Sequence, residues 1–181
     1  MGSIGFILRG TLLISMFACE SYNYAGEENI QIPEFNFPKT IVFEDRLSAY
    51  DIFTGNTEEL IPSDDFELIE LSSTLFTDYA YKQRLLKIPE GTQLRRLSDG
   101  TLEFPDKTIL TKTFYYYNDE RDTSLGKRII ETRLLIKQNG TWNIATYIWN
   151  EEQTDAFLAL NGYDTNVNWI TLNGDVQSTL Y

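Results

Sequence analysis

The sequence of 181 residues contains no histidine and only one cysteine. Without histidine the chain has no Ser-His or Cys-His nucleophile, no histidine ligand for zinc and no histidine axial ligand for a haem. A single cysteine cannot form a disulfide within the chain. These absences exclude the commonest nucleophilic mechanisms and the commonest metal centres of small proteins.

Positive charge is also scarce. The chain has 15 lysines and arginines against 27 aspartates and glutamates, a net charge of −12. Such a chain repels the phosphate backbone, which argues against a nucleic-acid partner. No spacing singles out two of the carboxylates as an acid–base pair, so the sequence identifies no catalytic residue. The acidic run 118–122 lacks the glycine that an EF-hand loop requires, and it is interpreted as a solvated hairpin tip rather than a metal site.

No hydrophobic run is long enough for an ordinary membrane span, which takes about 20 residues. A short apolar run, 10–18, follows Arg9 and is followed at once by Cys19. A basic start and a short apolar stretch predict a secretory signal peptide over 1–18. The ending Met16-Phe17-Ala18-Cys19 resembles the lipobox of bacterial lipoproteins, so we expect Cys19 to carry the lipid. A buried N-terminal element with an incidental cysteine is the alternative.

The rest of the chain divides into a polar tether and a β-rich domain. Residues 19–40 contain two prolines and no helical period, which is typical of a tether. Residues 41–53 are interpreted as a short helix or a turn-rich entry into the domain 41–181. Strands are predicted at 82–88, 93–97, 101–104, 108–117, 128–137, 141–149, 156–160 and 167–172. Asn139-Gly140 is the strongest turn signal and predicts direct pairing of the strands on either side of it. The predicted fold is all-β, an antiparallel β-sandwich of jelly-roll-like form.

Several charged residues lie within or beside the predicted strands, and alternation along a strand places neighbours two apart on one surface. Two interpretations of this set are open. The first is a charged patch that receives an anionic or sugar ligand, and the second is ordinary cross-strand pairing on a solvated sheet face. Its members are Asp78, Lys82, Arg84, Lys112, Glu131 and Arg133. In 128–137 the residues Ile130, Thr132, Leu134 and Ile136 are predicted to face the core.

Aromatic residues on a sheet either hold sugar rings or fill the core. Tyr147 and Trp149 share one face of their predicted strand, and Trp142 and Ile144 share the other. We take Tyr147 and Trp149 as the candidate aromatic surface for carbohydrate binding, with core filling as the competing interpretation.

An ordered set of short motifs resembles a family of exported bacterial proteins. The family is described as conserved hypothetical proteins or dihaem c-type cytochromes. The similarity covers about 47–181 and rests on these segments: LFTDYA at 75–80 followed by Lys82 and Arg84, IPEG at 88–91, LEFP at 102–105, TILTKTF at 108–114, ETRLL at 131–135, GTW at 140–142, YIWN at 147–150 and TDA at 154–156.

The resemblance implies an electron-transfer setting. In the longer relatives a similar β domain precedes a Cys-x-x-Cys-His segment that holds haem c; the present sequence contains no such motif. We therefore expect no cofactor in this chain, with haem c only in longer relatives. The expected function is that of a non-catalytic domain of an exported lipoprotein, anchored to the membrane by its N-terminal lipid on the periplasmic or outer-membrane face of the envelope. It would dock or position a c-type cytochrome, another redox protein or a haem domain. Carbohydrate binding is the alternative.

Overall fold

The fold is built on a six-stranded antiparallel sheet, seen in a computed structural model that describes residues 41–72 and 79–181. The described strands are β1 (Glu67–Leu68), β2 (Tyr81–Lys87), β3 (Arg95–Arg96), β4 (Leu102–Glu103), β5 (Ile109–Tyr117), β6 (Lys127–Gln138), β7 (Thr141–Trp149), β8 (Ala156–Ala159), β9 (Asn166–Ile170) and β10 (Val176–Leu180). The large sheet has the order β1-β2-β5-β6-β7-β8, and β3-β4 and β9-β10 form two-stranded sheets. The all-β, antiparallel prediction is confirmed, and from β5 to β8 the large sheet is a meander.

The turn between β6 and β7 has the predicted geometry. Asn139 and Gly140 both have positive φ, 50° and 73°. A two-residue turn of this kind matches the twist of the flanking strands and fixes their register. Gln138 is accordingly paired with Thr141, and the pairing continues to Glu131 and Ile148.

One face of the large sheet, here the closed face, is covered by the chain before β1. The covering segment contains a 3₁₀ turn at Leu47–Tyr50, within the residues 41–53 for which the sequence indicated a short helix or turns, and a second 3₁₀ turn at Thr57–Glu59. Buried residues of this core come from both layers: Leu47, Ile52, Leu60, Phe66, Leu85, Ile129, Leu134, Ala145, Tyr147, Trp149 and Ala156. Burial of this apolar surface is the main stabilising contribution on this side of the sheet.

The opposite face, here the open face, is covered at one end by β9 and the terminal Tyr181. Phe114 and Tyr116 of β5 pack there with Val167 and Trp169 of β9. Tyr116 and Trp169 have ring centroids 5.1 Å apart. The two sheets therefore enclose a second core, and the fold is a β-sandwich flanked by the described residues that precede β1.

A β-bulge corrects one part of the predicted face assignment. The register of β5 and β6 shifts between Phe114 and Tyr115, so that Tyr115 is paired with Ile129 and Ile130 has no direct partner on β5. Ile129 consequently packs in the closed-face core and Ile130 in the open-face core. An extra residue in one strand reverses the alternation beyond it. Thr132, Leu134 and Ile136 lie on the closed face as predicted, whereas the assignment of Ile130 to that face is wrong.

The sequence predicted a solvated hairpin tip for the acidic run 118–122, but part of this run is packed against the fold. Asp119 is 6% exposed, and its carboxylate accepts hydrogen bonds from the Arg121 guanidinium at 2.9 and 2.6 Å. This ion pair lowers the pKa of Asp119 to about 2, chiefly through the side-chain hydrogen bonds from Arg121. The Glu120 amide donates to the Ile170 carbonyl at 2.8 Å, which ties the run to β9.

The predicted signal peptide 1–18, Cys19, the tether 19–40 and Asp78 lie outside the described residues. Within the part that is described, no helix has the length and apolar character needed to cross a membrane. The described residues all belong to one compact unit.

Candidate anion-binding face

Three cations stand side by side on three adjacent strands of the open face. Arg84 of β2 is paired directly with Lys112 of β5, and Lys112 is paired directly with Arg133 of β6. Directly opposite residues on antiparallel strands point to the same face, with Cβ atoms about 4.5–5.5 Å apart. These three residues, here called the cation row, are brought together by register although they are far apart in the sequence.

The next row of the same face combines a cation, an aromatic ring and a carboxylate. Lys82, Phe114 and Glu131 are paired across the same three strands. The Lys112 ammonium lies 4.6 Å and the Arg133 guanidinium carbon 4.8 Å from the centroid of the Phe114 ring. A buried ring beneath two cations holds them by cation–π attraction and limits their rotamers.

Glu131 is the one carboxylate among the predicted patch residues that the structure describes. It is 7% exposed and accepts a hydrogen bond from Arg133 Nε at 2.6 Å. On its other side lies the Tyr181 hydroxyl, whose pKa is raised by burial and then by the charge of Glu131 and a hydrogen bond to it. Glu131 therefore orients Arg133 from a buried position and leaves the rest of the guanidinium exposed.

The cation row carries an excess of positive charge in a chain with a net charge of −12. Among residues 41–72 and 79–181, neither Arg84 nor Lys112 forms an ion pair with a carboxylate, whereas Arg133 is paired with Glu131. The pKa of Lys112 is lowered, first by burial and then by the neighbouring charges of Arg84, Arg133 and Lys82, while the charge of Glu131 acts in the opposite direction. The pKa of Lys82 is lowered by burial and by Arg84. Like charges directly opposite one another destabilise a sheet, so this row costs the fold stability that a bound anion would restore.

An apolar row runs beside the cation row, one pleat further along each strand. Leu86, Leu110 and Leu135 are paired across β2, β5 and β6, and Ile144 of β7 continues the row. Ile144 is 63% exposed, and the three leucines are half-buried. Each of the three strands thus places a leucine two residues from its cation.

The cation row and its neighbours include five of the six predicted patch residues. Asp78 lies outside the described part of the chain, and the other five share the open face. The interpretation as ordinary cross-strand ion pairs does not describe this set, because Arg133 pairs with Glu131 of its own strand and neither Arg84 nor Lys112 is paired with a carboxylate of the described residues. The leucines of the apolar row, Ile144 and the ring of Phe114 were not among the predicted site residues. The signal for them was present, since each strand contains a cation and a leucine two residues apart.

The predicted aromatic surface is wrong, because Tyr147 and Trp149 are buried. They are 0% and 6% exposed and belong to the closed-face core. The Tyr147 hydroxyl donates to the Glu44 carbonyl at 2.8 Å, and Trp149 Nε1 donates to Thr132 Oγ1 at 3.0 Å. The other pair of this strand lies on the open face, where Ile144 is exposed and Trp142 is half-buried beside Phe104. Carbohydrate binding therefore loses the two residues on which it depended.

Comparisons with family models, with curated proteins and with solved structures give no match for this chain. Within the described residues no group of three or more cysteine, aspartate or glutamate side chains is arranged to hold a metal ion. The chemistry that the open face offers is recognition of negative charge. Guanidinium groups donate two parallel hydrogen bonds to a carboxylate or phosphate, and a lysine adds a point charge between them.

Proposed function

We propose that this domain is a non-catalytic docking module in which the cation row of the open face binds an acidic surface of a partner protein. The observation that carries the proposal is the direct alignment of Arg84, Lys112 and Arg133 across three strands. A purely structural role does not account for three adjacent like charges, since their mutual repulsion destabilises the sheet.

The local charge governs binding, although the chain as a whole is acidic. Interactions between exposed charges are screened beyond about 10 Å at 0.1 M ionic strength. A partner segment seated on the cation row therefore interacts with the row and only weakly with distant carboxylates. Complementary charge of this kind sets specificity and association rate more than affinity.

The partner class follows from the sequence resemblance. A redox protein, either a c-type cytochrome or a haem domain, is the partner that the related exported proteins suggest. The Cys19 lipid would hold the chain at the cell envelope, on the periplasmic or outer-membrane face, and would keep the docking module near membrane-bound partners. More than one acyl chain is needed for stable anchoring, as in a lipidated N-terminal cysteine.

The test uses two c-type cytochromes as probes, one with an acidic surface and one with a basic surface. We expect the purified protein to bind the acidic probe with an affinity that falls as salt is added. The Lys112→Gln and Arg84→Gln variants should each weaken this binding about fivefold, or about 1 kcal/mol. Lys107→Gln, which removes an exposed cation away from the row, should leave it unchanged.

Two results would contradict the proposal. One is equal binding of the acidic and basic probes. The other is an equal loss of affinity in Lys107→Gln and Lys112→Gln, because net charge alone would then account for binding.

A further inference from the structure

We infer that the segment docking on the open face is extended and carries an acidic residue and an apolar residue two positions apart. This inference rests on the proposed function and specifies the chemistry of the partner. It is carried by the repeated pairing of a cation with a leucine on three adjacent strands.

The two rows lie at the spacing of a β-strand. Arg84 and Leu86 on β2, Lys112 and Leu110 on β5, and Arg133 and Leu135 on β6 are each two residues apart. Residues two apart on a strand lie on the same face and are separated by about 6.7 Å. Because the strands are paired in register, the cations align in one row and the leucines in the other.

An extended partner segment has the same period. When its acidic side chain meets the cation row, the side chain two positions away meets the apolar row. A segment of this type buries an apolar side chain against the leucines and Ile144, while its carboxylate pairs with a guanidinium. The apolar contact also excludes water from the neighbouring ion pair, and contacts that exclude water surround the residues that contribute most to binding.

A further cation lies beyond the apolar row, on the side away from the cation row. Trp142 is paired with Lys137, and the Lys137 ammonium lies 5.4 Å from the centroid of the Trp142 ring. Both belong to the next row beyond Leu135 and Ile144. A second acidic residue, four positions from the first, would therefore meet Lys137.

A protein segment fits this face better than a bilayer surface does. A single extended segment contacts only the cation row and the apolar row. Charges more than about 10 Å from the segment are largely screened. A bilayer surface would also meet the exposed carboxylate of Glu67, which is paired with Leu86 at the β1 edge of this face. Anionic headgroups would be repelled by that carboxylate.

The experiment compares two synthetic peptides of equal charge, one with the repeat Glu-Ser-Leu-Ser and one in which serine replaces every leucine. Binding of both to the purified protein is followed by NMR titration at several salt concentrations. We expect the leucine-containing peptide to bind about tenfold more tightly. Ile144→Ser, at a 63% exposed position, should remove most of that advantage without altering the salt dependence.

Val176→Ser is the matched control, because Val176 is an exposed strand residue, 76% exposed, on the smaller β9-β10 sheet. It should bind both peptides as the unaltered protein does. Lys112→Gln should weaken both peptides equally.

The outcomes separate this inference from the proposed function. Equal affinity for the two peptides, with both still dependent on Lys112, would overturn the inference and leave the docking function intact. Loss of salt-dependent binding of the acidic cytochrome probe would overturn the docking function itself. Binding of phosphatidylglycerol vesicles that is lost in Ile144→Ser, with no binding of either peptide, would assign the face to a membrane surface and would also overturn the inference.

Discussion

Thr111 and Thr132 are two buried threonines of the closed face whose hydroxyl groups have different surroundings. Thr132 is 0% exposed; its Oγ1 accepts a hydrogen bond from Trp149 Nε1 at 3.0 Å and lies 2.9 Å from Thr113 Oγ1. Thr111 is 3% exposed, and its Oγ1 has no hydrogen-bond partner among the described residues. Replacing each threonine by valine keeps the shape and the β propensity and removes only the hydroxyl.

The two substitutions should change stability in opposite directions. Thr132→Val leaves the buried indole N–H and the Thr113 hydroxyl without their partner, and each such group costs about 1–3 kcal/mol. We expect the free energy of unfolding to fall by about 2–4 kcal/mol. Thr111→Val removes an unsatisfied hydroxyl, so the free energy of unfolding should stay the same or rise by up to about 1 kcal/mol.

The assay is urea unfolding followed by tryptophan fluorescence and circular dichroism, with the midpoint and slope measured for each variant. The double variant Thr132→Val/Trp149→Phe is the control, since the orphaned indole N–H is absent from it. The cost of Thr132→Val should be about 1–2 kcal/mol smaller in that background. Equal shifts of the midpoint for Thr111→Val and Thr132→Val would refute the assignment of this hydrogen-bond network.

Three further predictions concern pH and the hairpin. Burial, followed by hydrogen bonding to a neighbouring tyrosine, raises the pKa of Tyr147, so the folded state keeps its proton above pH 10 while the unfolded state loses it. The free energy of unfolding should therefore fall as pH rises above about 10. In Tyr147→Phe this fall should be smaller by about 1.4 kcal/mol per pH unit, as measured by denaturant titrations at a series of pH values. Because the pKa of Asp119 is lowered, its ion pair contributes to stability above about pH 4, and this contribution is lost as pH falls towards 2. Arg121→Met should therefore raise the pH midpoint of acid unfolding. An unchanged midpoint would contradict a stabilising role of the ion pair. Gly140→Ala, at a φ of 73°, should lower the free energy of unfolding by about 1–2 kcal/mol, whereas Gly162→Ala, where the φ is ordinary, should have little effect.

The strands of the large sheet were predictable because their signals are local. Apolar and β-branched alternation marks β5, β6 and β7, and Asn139-Gly140 fixes how the last two of these pair. β10 was not predicted. Its two large apolar residues, Val176 and Leu180, are both exposed, so the run has no buried face whose alternation the sequence could display.

The candidate site was predictable as a set of residues but not as an arrangement. Alternation places Glu131 and Arg133 on one face, yet their alignment with Lys112 and Arg84 depends on the register between strands that are distant in the sequence. The bulge opposite Phe114 also has no local turn residue to reveal it. A shift of one position there moves a side chain to the other face.

The position of Tyr147 and Trp149 shows the same limit. Alternation separates this pair from Trp142 and Ile144, but it does not reveal which face of β7 is covered by the described segment before β1. That segment is far away in the sequence and covers Tyr147 through contacts such as the hydrogen bond to the Glu44 carbonyl.

The proposed docking function depends most directly on negative charge binding at the row Arg84, Lys112 and Arg133. The direct measurement is an NMR chemical-shift map of the purified protein during titration with the acidic cytochrome probe. We expect the shifts to concentrate on β2, β5 and β6, with the largest changes at the Arg84 and Arg133 side chains. Shifts that concentrate elsewhere, with these two side chains unaffected, would contradict it.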